Sequence, residues 1–149
     1  MPRPRQIYND CVVIVFREIT GEDENTAFAR FHPHLKGKAG FPLDTLSSCL
    51  NDAGWMLTRF DYAAQQVFGP DGSFDEAAFK SFWSQFRGEA VVCYIRNDAK
   101  VGHMIVVRSG GVAFDPGPSP EDGEFIFDHF KRVGGKIDIQ SVSTVTRML

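Results

Sequence analysis

"GHMIVVRSGGVAFDP", residues 102–116, decides the fold. β-branched residues crowd the segment 102–108, and Ser109-Gly110-Gly111 interrupts it before "GVAFDP" at 111–116, so two strands and a tight hairpin are expected. Upstream, "EAVVCYIR" (89–96) has the same strand character, and Asn97-Asp98 supplies a turn between them. The three segments make an antiparallel meander. "KIDIQSV" (136–142) alternates apolar and polar residues and reads as a further strand near the C-terminus.

Loop length sets what this hairpin brings together. A three-residue loop, Ser109 to Gly111, puts Arg108 opposite Val112 and residue 117 opposite His103. Asp115 is two residues from that position, so His103 and Asp115 share a face as diagonal neighbours within side-chain reach. A two-residue loop shifts the register by one and places them on opposite faces. The glycines allow the longer loop with a bulge.

Helical signals lie mostly earlier in the chain. Ser73 and Glu76 form a capping-box pattern ahead of Phe74, Ala78, Phe79, Phe82, Trp83 and Phe86, which fall on or near one helical face. That face reads as core, although so many aromatics on one helix would also suit a partner surface. Leu43, Leu46 and Leu50, stopped by Gly54, predict another helix, and "EDGEFIFDHFKRV" (121–133) after Ser119-Pro120 predicts a third. Residues 21–42, with "FHPHLKGKAGFP", are punctuated by Gly and Pro and read as a long loop. Helices first and an antiparallel sheet afterwards imply an α+β fold, and 149 residues suit a single domain, 1–149.

"YNDCVVIVFREITG" (8–21) is ambiguous by periodicity, since its β-branched run favours a strand. Asn9 and Asp10 are good N-caps and Gly21 a good stop, and about ten residues suits a short buried helix. Cys11 then lies in the first helical turn, where free N–H groups and the positive end of the helix dipole favour thiolate over thiol. A thiol nucleophile needs a base, and the base needs a group that holds its ring and stabilises its cation. His103 and Asp115 supply the two residue types, and the register of a three-residue loop would bring them together.

Composition excludes several other classes. With 43% hydrophobic residues and 14 phenylalanines, disorder is not expected. A net charge of −3 without a Lys/Arg cluster argues against a nucleic-acid partner, and no apolar run approaches a membrane span. "MPRPRQIYND" has no adequate apolar segment for a secretory signal. Cys11, Cys49 and Cys93 include no CxxC pair, so a reduced, cytoplasmic compartment is the simplest expectation. His32 and His34 are ligand types without a clear third partner, "GEDEN" (21–25) lacks calcium-loop spacing, and no phosphate loop is present. Neither a metal nor a cofactor is expected. His129, among Phe125, Phe127 and Phe130, reads as structural, and Cys49 and Cys93 as core residues.

"NDC" leading a buried helix, then "GHMIVV", then "GVAFDP", resembles the papain-like cysteine peptidases, most closely the C39-like branch. "DCVVIVFREITG" looks like the nucleophile helix of small phage and bacterial members of that group. The resemblance covers residues 6–21 and 89–116 well and 22–88 hardly at all. It implies a papain-like fold, with an N-terminal nucleophile helix packed on an antiparallel sheet and further helices. It implies Cys11 as nucleophile, His103 as general base and acid, and Asp115 as the orienting group. The family's oxyanion hole uses the cysteine N–H and a side-chain amide, commonly a glutamine six residues earlier. Here Gln6 lies five residues before Cys11 and Asn9 two before, with Gln6 favoured for its longer arm. Val12 stands where many relatives carry a small residue. The implied activity is cleavage of a peptide or isopeptide bond in a peptide or protein substrate, in the host's cytoplasm for a phage member. The same triad serves acyltransferases and transglutaminases, and a catalytically silent papain-like domain binding a protein partner is the reading from a different class.

Overall fold

The computed structural model describes residues 11–35, 41–60, 66–68, 74–96, 101–116 and 122–148. They fall into two compact units, Met1–Leu57 with Thr146–Leu149, and Thr58–Val145. The architecture is α+β.

In the first unit the ambiguous apolar run is a helix, α1 (Cys11–Thr20). Val12, Val13, Val15, Phe16 and Ile19 are buried, one broad stripe at helical spacing, and that burial outweighs the β-preference of the valines. Gly21, at φ 75°, ends the helix, its N–H reaching the carbonyl of Arg17 at 2.8 Å. The expected caps Asn9 and Asp10 lie outside the described residues. The expected loop at 21–42 is corrected: α2 spans Glu24–Phe31, followed by a 3₁₀ turn at His32–His34. Asp23 caps α2 by accepting from the Thr26 N–H at 2.7 Å, and Ala27 and Phe31 are buried one turn apart. Glu22 and Arg30 pair through two 2.8 Å bonds across the start of this helix. The third helix, α3 (Leu43–Asp52), buries Leu46, Cys49 and Leu50 as expected. Phe16 meets Phe31 edge to face, with ring centroids 5.3 Å apart.

The sheet contains, among the described residues, β1 (Trp55–Phe60), β2 (Gln66–Phe68), β3 (Glu89–Arg96), β4 (Val101–Arg108), β5 (Val112–Phe114), β6 (Asp122–Phe125) and β7 (Ile137–Arg147). Its order is β1-β7-β3-β4-β5-β6, with β2 also on β7. The β3–β4, β4–β5, β5–β6 and β3–β7 pairings are antiparallel. The meander is therefore present, flanked by strands that the sequence reading lacked: β1 and β2, and β6, where a helix from 121 was expected. Gly123, at φ 97°, and the pairing of Glu124 with Ala113 hold β6 extended, and the helix α5 begins only at Ile126 and runs to Val133.

One face of this sheet carries the core of the second unit. Ala90, Val92, Tyr94, Ile105, Val107, Ala113, Ile137, Ile139 and Val142 pack with α4 (Glu76–Gln85) and α5. From α4 come Phe79 and Trp83, and from α5 Ile126, Phe127 and Phe130. Phe82, expected with them, is instead 37% exposed, and Ala78 is also exposed. The cap of α4 is Asp75, accepting from the Ala78 N–H at 3.0 Å, while Ser73 lies outside the described residues. Cys93, expected in the core, is half-buried.

Candidate active site

Arg108 stands opposite Val112, Val107 opposite Ala113 and Val106 opposite Phe114, the register of the three-residue loop. Gly111 makes this loop possible. Its φ of +79° suits glycine, and a Cβ there would lie 2.9 Å from the Trp83 carbonyl oxygen and 2.6 Å from the Phe125 ring. With the register so set, His103 Nε2 lies 2.6 Å from Asp115 Oδ1. A carboxylate only accepts, so Nε2–H donates and the imidazole lone pair falls on Nδ1. Asp115 is 6% exposed, and the His103 side chain keeps 22% of its surface in solvent. The pair thus joins a buried carboxylate to an imidazole that is in part open to solvent.

The other oxygen of Asp115, Oδ2, accepts from Arg132 Nη2 at 3.2 Å. Arg132 also donates to Glu124 Oε1 through Nε at 3.0 Å and Nη2 at 2.8 Å. His129, expected to be structural, is wholly buried in this cluster: Nδ1 lies 3.3 Å from Arg132 Nη2 and Nε2 3.0 Å from the Tyr94 hydroxyl. Burial is the main cause that lowers the proton affinity of His129. Arg132 and His103 act in the same direction, while Asp115 and Glu124 oppose them. The guanidinium of Arg132 is held more firmly protonated than usual, chiefly by its bond to Glu124. Tyr94 pairs with His103 across the β3–β4 ladder, and the two rings meet edge to face at 5.6 Å. The sequence reading did not contain Tyr94, Glu124 or Arg132. The spacing of His129 and Arg132, three apart on a helix, was the only local signal.

Cys11 is the first residue of α1, half-buried and unpaired with any other cysteine. It belongs to the first unit, His103 and Asp115 to the second. Gln6 and Asn9 lie outside the described residues. Cys49 is fully buried, and burial is the chief cause that pushes its thiol up to about 11. His32 is exposed beside the Phe28 ring, and among the described residues no three His, Cys, Asp or Glu side chains are grouped to hold a metal ion. No described helix is long and apolar enough to cross a membrane.

No protein-family profile matches the chain, and no curated protein sequence matches it either. Among solved structures, the crystal structure of the Pseudomonas avirulence protein AvrPphB aligns with 93% of this chain and 71% of its own length. The two are 19% identical over the alignment, with a TM-score of 0.37.

Proposed function

We propose that the chain is a cysteine-dependent hydrolase of papain-like type, 1–149 acting as one domain, that cleaves a peptide or isopeptide bond with Cys11, His103 and Asp115. The observation that carries this reading is the 2.6 Å bond from His103 Nε2–H to Asp115 Oδ1, which commits Nδ1 as the basic atom. The opening position of Cys11 on α1 adds the second support, since a helix N-terminus favours negative sulfur.

In the proposed cycle, Nδ1 of His103 takes the Cys11 proton, and the thiolate sulfur bonds to the substrate carbonyl carbon. The carbonyl electron pair moves to oxygen, where the Cys11 N–H and the Gln6 amide receive it. Collapse expels the amine, which leaves with the proton from His103, and the chain holds an acyl-thioester. Water then gives its proton to Nδ1 and attacks the same carbon, and the carboxylic acid departs as the thiol re-forms. Asp115 stays ionised throughout and stabilises the imidazolium.

An electrophilic peptide carrying a vinyl sulfone tests this reading, because its capture needs the same thiolate and the same base. Mass spectrometry is expected to find a single adduct on Cys11, absent from Cys11→Ala and strongly reduced in His103→Ala. A peptide library incubated with the wild-type chain is expected to show cleavage that Cys11→Ala lacks. Equal adduct formation in wild type and His103→Ala, with no cleavage of the library, would refute the hydrolase.

A further inference from the structure

We infer that Arg132, clamped by Glu124 and by the buried His129, is a positioning residue that aims Asp115 at His103, an inference that rests on the triad reading above. The two oxygens of Asp115 face different partners. Oδ1 accepts from His103 at 2.6 Å and Oδ2 from Arg132 at 3.2 Å, so the guanidinium fixes how the carboxylate is turned.

Arg132 lies in the last turn of α5 with 39% of its side chain exposed, and a lone arginine there would sample many rotamers. Two neighbours hold it. Glu124 Oε1 receives both Nε and Nη2, and β6 fixes Glu124 through its register with Ala113. His129, one turn earlier on α5, presents Nδ1 to Nη2 at 3.3 Å. A neutral His129 that accepts on Nδ1 carries its hydrogen on Nε2 and donates to the Tyr94 hydroxyl at 3.0 Å. Tyr94 stands opposite His103 in the sheet, so the chain of contacts returns to the base it supports.

Charge points the same way. Asp115 and Glu124 are negative, Arg132 positive and the buried His129 neutral, which leaves the cluster with one net negative charge. An imidazolium at His103 neutralises it. The cluster is thus balanced in the state in which His103 has taken a proton, the state a thiolate partner requires. Removing Arg132 leaves two carboxylates side by side without the cation between them, and Oδ2 of Asp115 loses the guanidinium that orients it.

Heteronuclear NMR of the His103 ring, which reads the tautomer whether or not the chain is an enzyme, tests the inference. In wild type the neutral ring is expected in the Nε2–H form. In Arg132→Met the ratio of Nε2–H to Nδ1–H forms is expected to fall about tenfold, the scale of a charge-assisted hydrogen bond. Arg132→Lys keeps the charge and lacks the fork, so it is expected to restore the ratio in part. An unchanged ratio in folded Arg132→Met overturns the inference. Should that variant not fold, an unchanged ratio in Arg132→Lys overturns it, because a single ammonium nitrogen cannot reproduce the contacts that the guanidinium makes through both Nε and Nη2. Vinyl sulfone capture by the same proteins separates the two proposals. A shifted tautomer with a Cys11 inert even in wild type retains the role of Arg132 and ends the hydrolase reading.

Discussion

His103 Nε2–H donates to Asp115 Oδ1 at 2.6 Å across a hairpin whose register is set at Ser109 to Gly111, away from both residues along the chain. Chemistry and backbone geometry are therefore coupled at a glycine. Gly111→Ala must place a Cβ at φ +79° against the Trp83 carbonyl and the Phe125 ring. Its expected cost is at least about 1–2 kcal/mol from the backbone alone, read as a lower urea midpoint. The His103–Asp115 bond is expected to weaken with it, visible as a mixed His103 tautomer. An unchanged midpoint and tautomer would show that the loop tolerates the side chain and does not fix the pair.

The oxyanion donor is separable from the nucleophile. Gln6→Ala is expected to lower turnover about 10²–10³-fold while alkylation of Cys11 by a small reagent is unchanged, since alkylation builds no oxyanion. Asn9→Ala is expected to cost about 1 kcal/mol of stability as a lost helix cap and to do less to turnover. The reverse pattern would assign the oxyanion hole to Asn9.

Buried His129 links stability to pH. Its folded proton affinity lies below the ordinary value of 6.5, chiefly through burial, so the unfolded chain takes up a proton first as pH falls. The stability it contributes is complete above 6.5 and is lost as pH falls from 6.5 toward the folded value, with a slope of up to about 1.4 kcal/mol per pH unit. Urea unfolding between pH 7.5 and 5 is expected to show this slope in wild type and a shallower one in His129→Gln. Parallel slopes would mean that His129 is protonated equally in both states.

Core packing predicts a simpler outcome in the first unit. Phe16 is fully buried against Phe31, and Phe16→Ala is expected to cost about 3–5 kcal/mol. Thermal unfolding checks it, and a loss below about 1 kcal/mol would mean the site collapses around the gap.

The parts of this architecture that the sequence made legible are those with local causes. Gly110 and Gly111 allow the three-residue loop, and the register that the hairpin takes puts His103 and Asp115 on one face. The burial stripe of α1 is written in Val12, Val13, Phe16 and Ile19. α2 was hidden because the glycines and proline after Phe31 dominated the reading, while its own signals, Asp23 and the Ala27–Phe31 spacing, are modest. β1 lies at the end of the strand order and its residues are only half-buried or exposed, so it lacks the apolar alternation of β3. In sequence β6 merges with the following helix because Phe125 and Phe127 continue its apolar pattern, whereas pairing with β5 makes it a strand. The clamp on Asp115 joins Tyr94, Glu124, His129 and Arg132 from three elements, and no sequence spacing encodes such a meeting.

The central claim is that His103, oriented by Asp115, activates Cys11, and the rate of iodoacetamide alkylation at Cys11 against pH tests it most directly. Mass spectrometry resolves Cys11 from Cys93 and from the fully buried Cys49, whose thiol burial pushes up to about 11. In wild type the Cys11 rate is expected to persist at pH 6, where an ordinary thiol with a pKa of about 8.5 is almost wholly protonated. His103→Ala is expected to lose that low-pH reactivity, and Asp115→Asn to lose about tenfold or more of it. A Cys11 rate that follows an ordinary thiol's profile in wild type, unchanged by His103→Ala, would contradict the account.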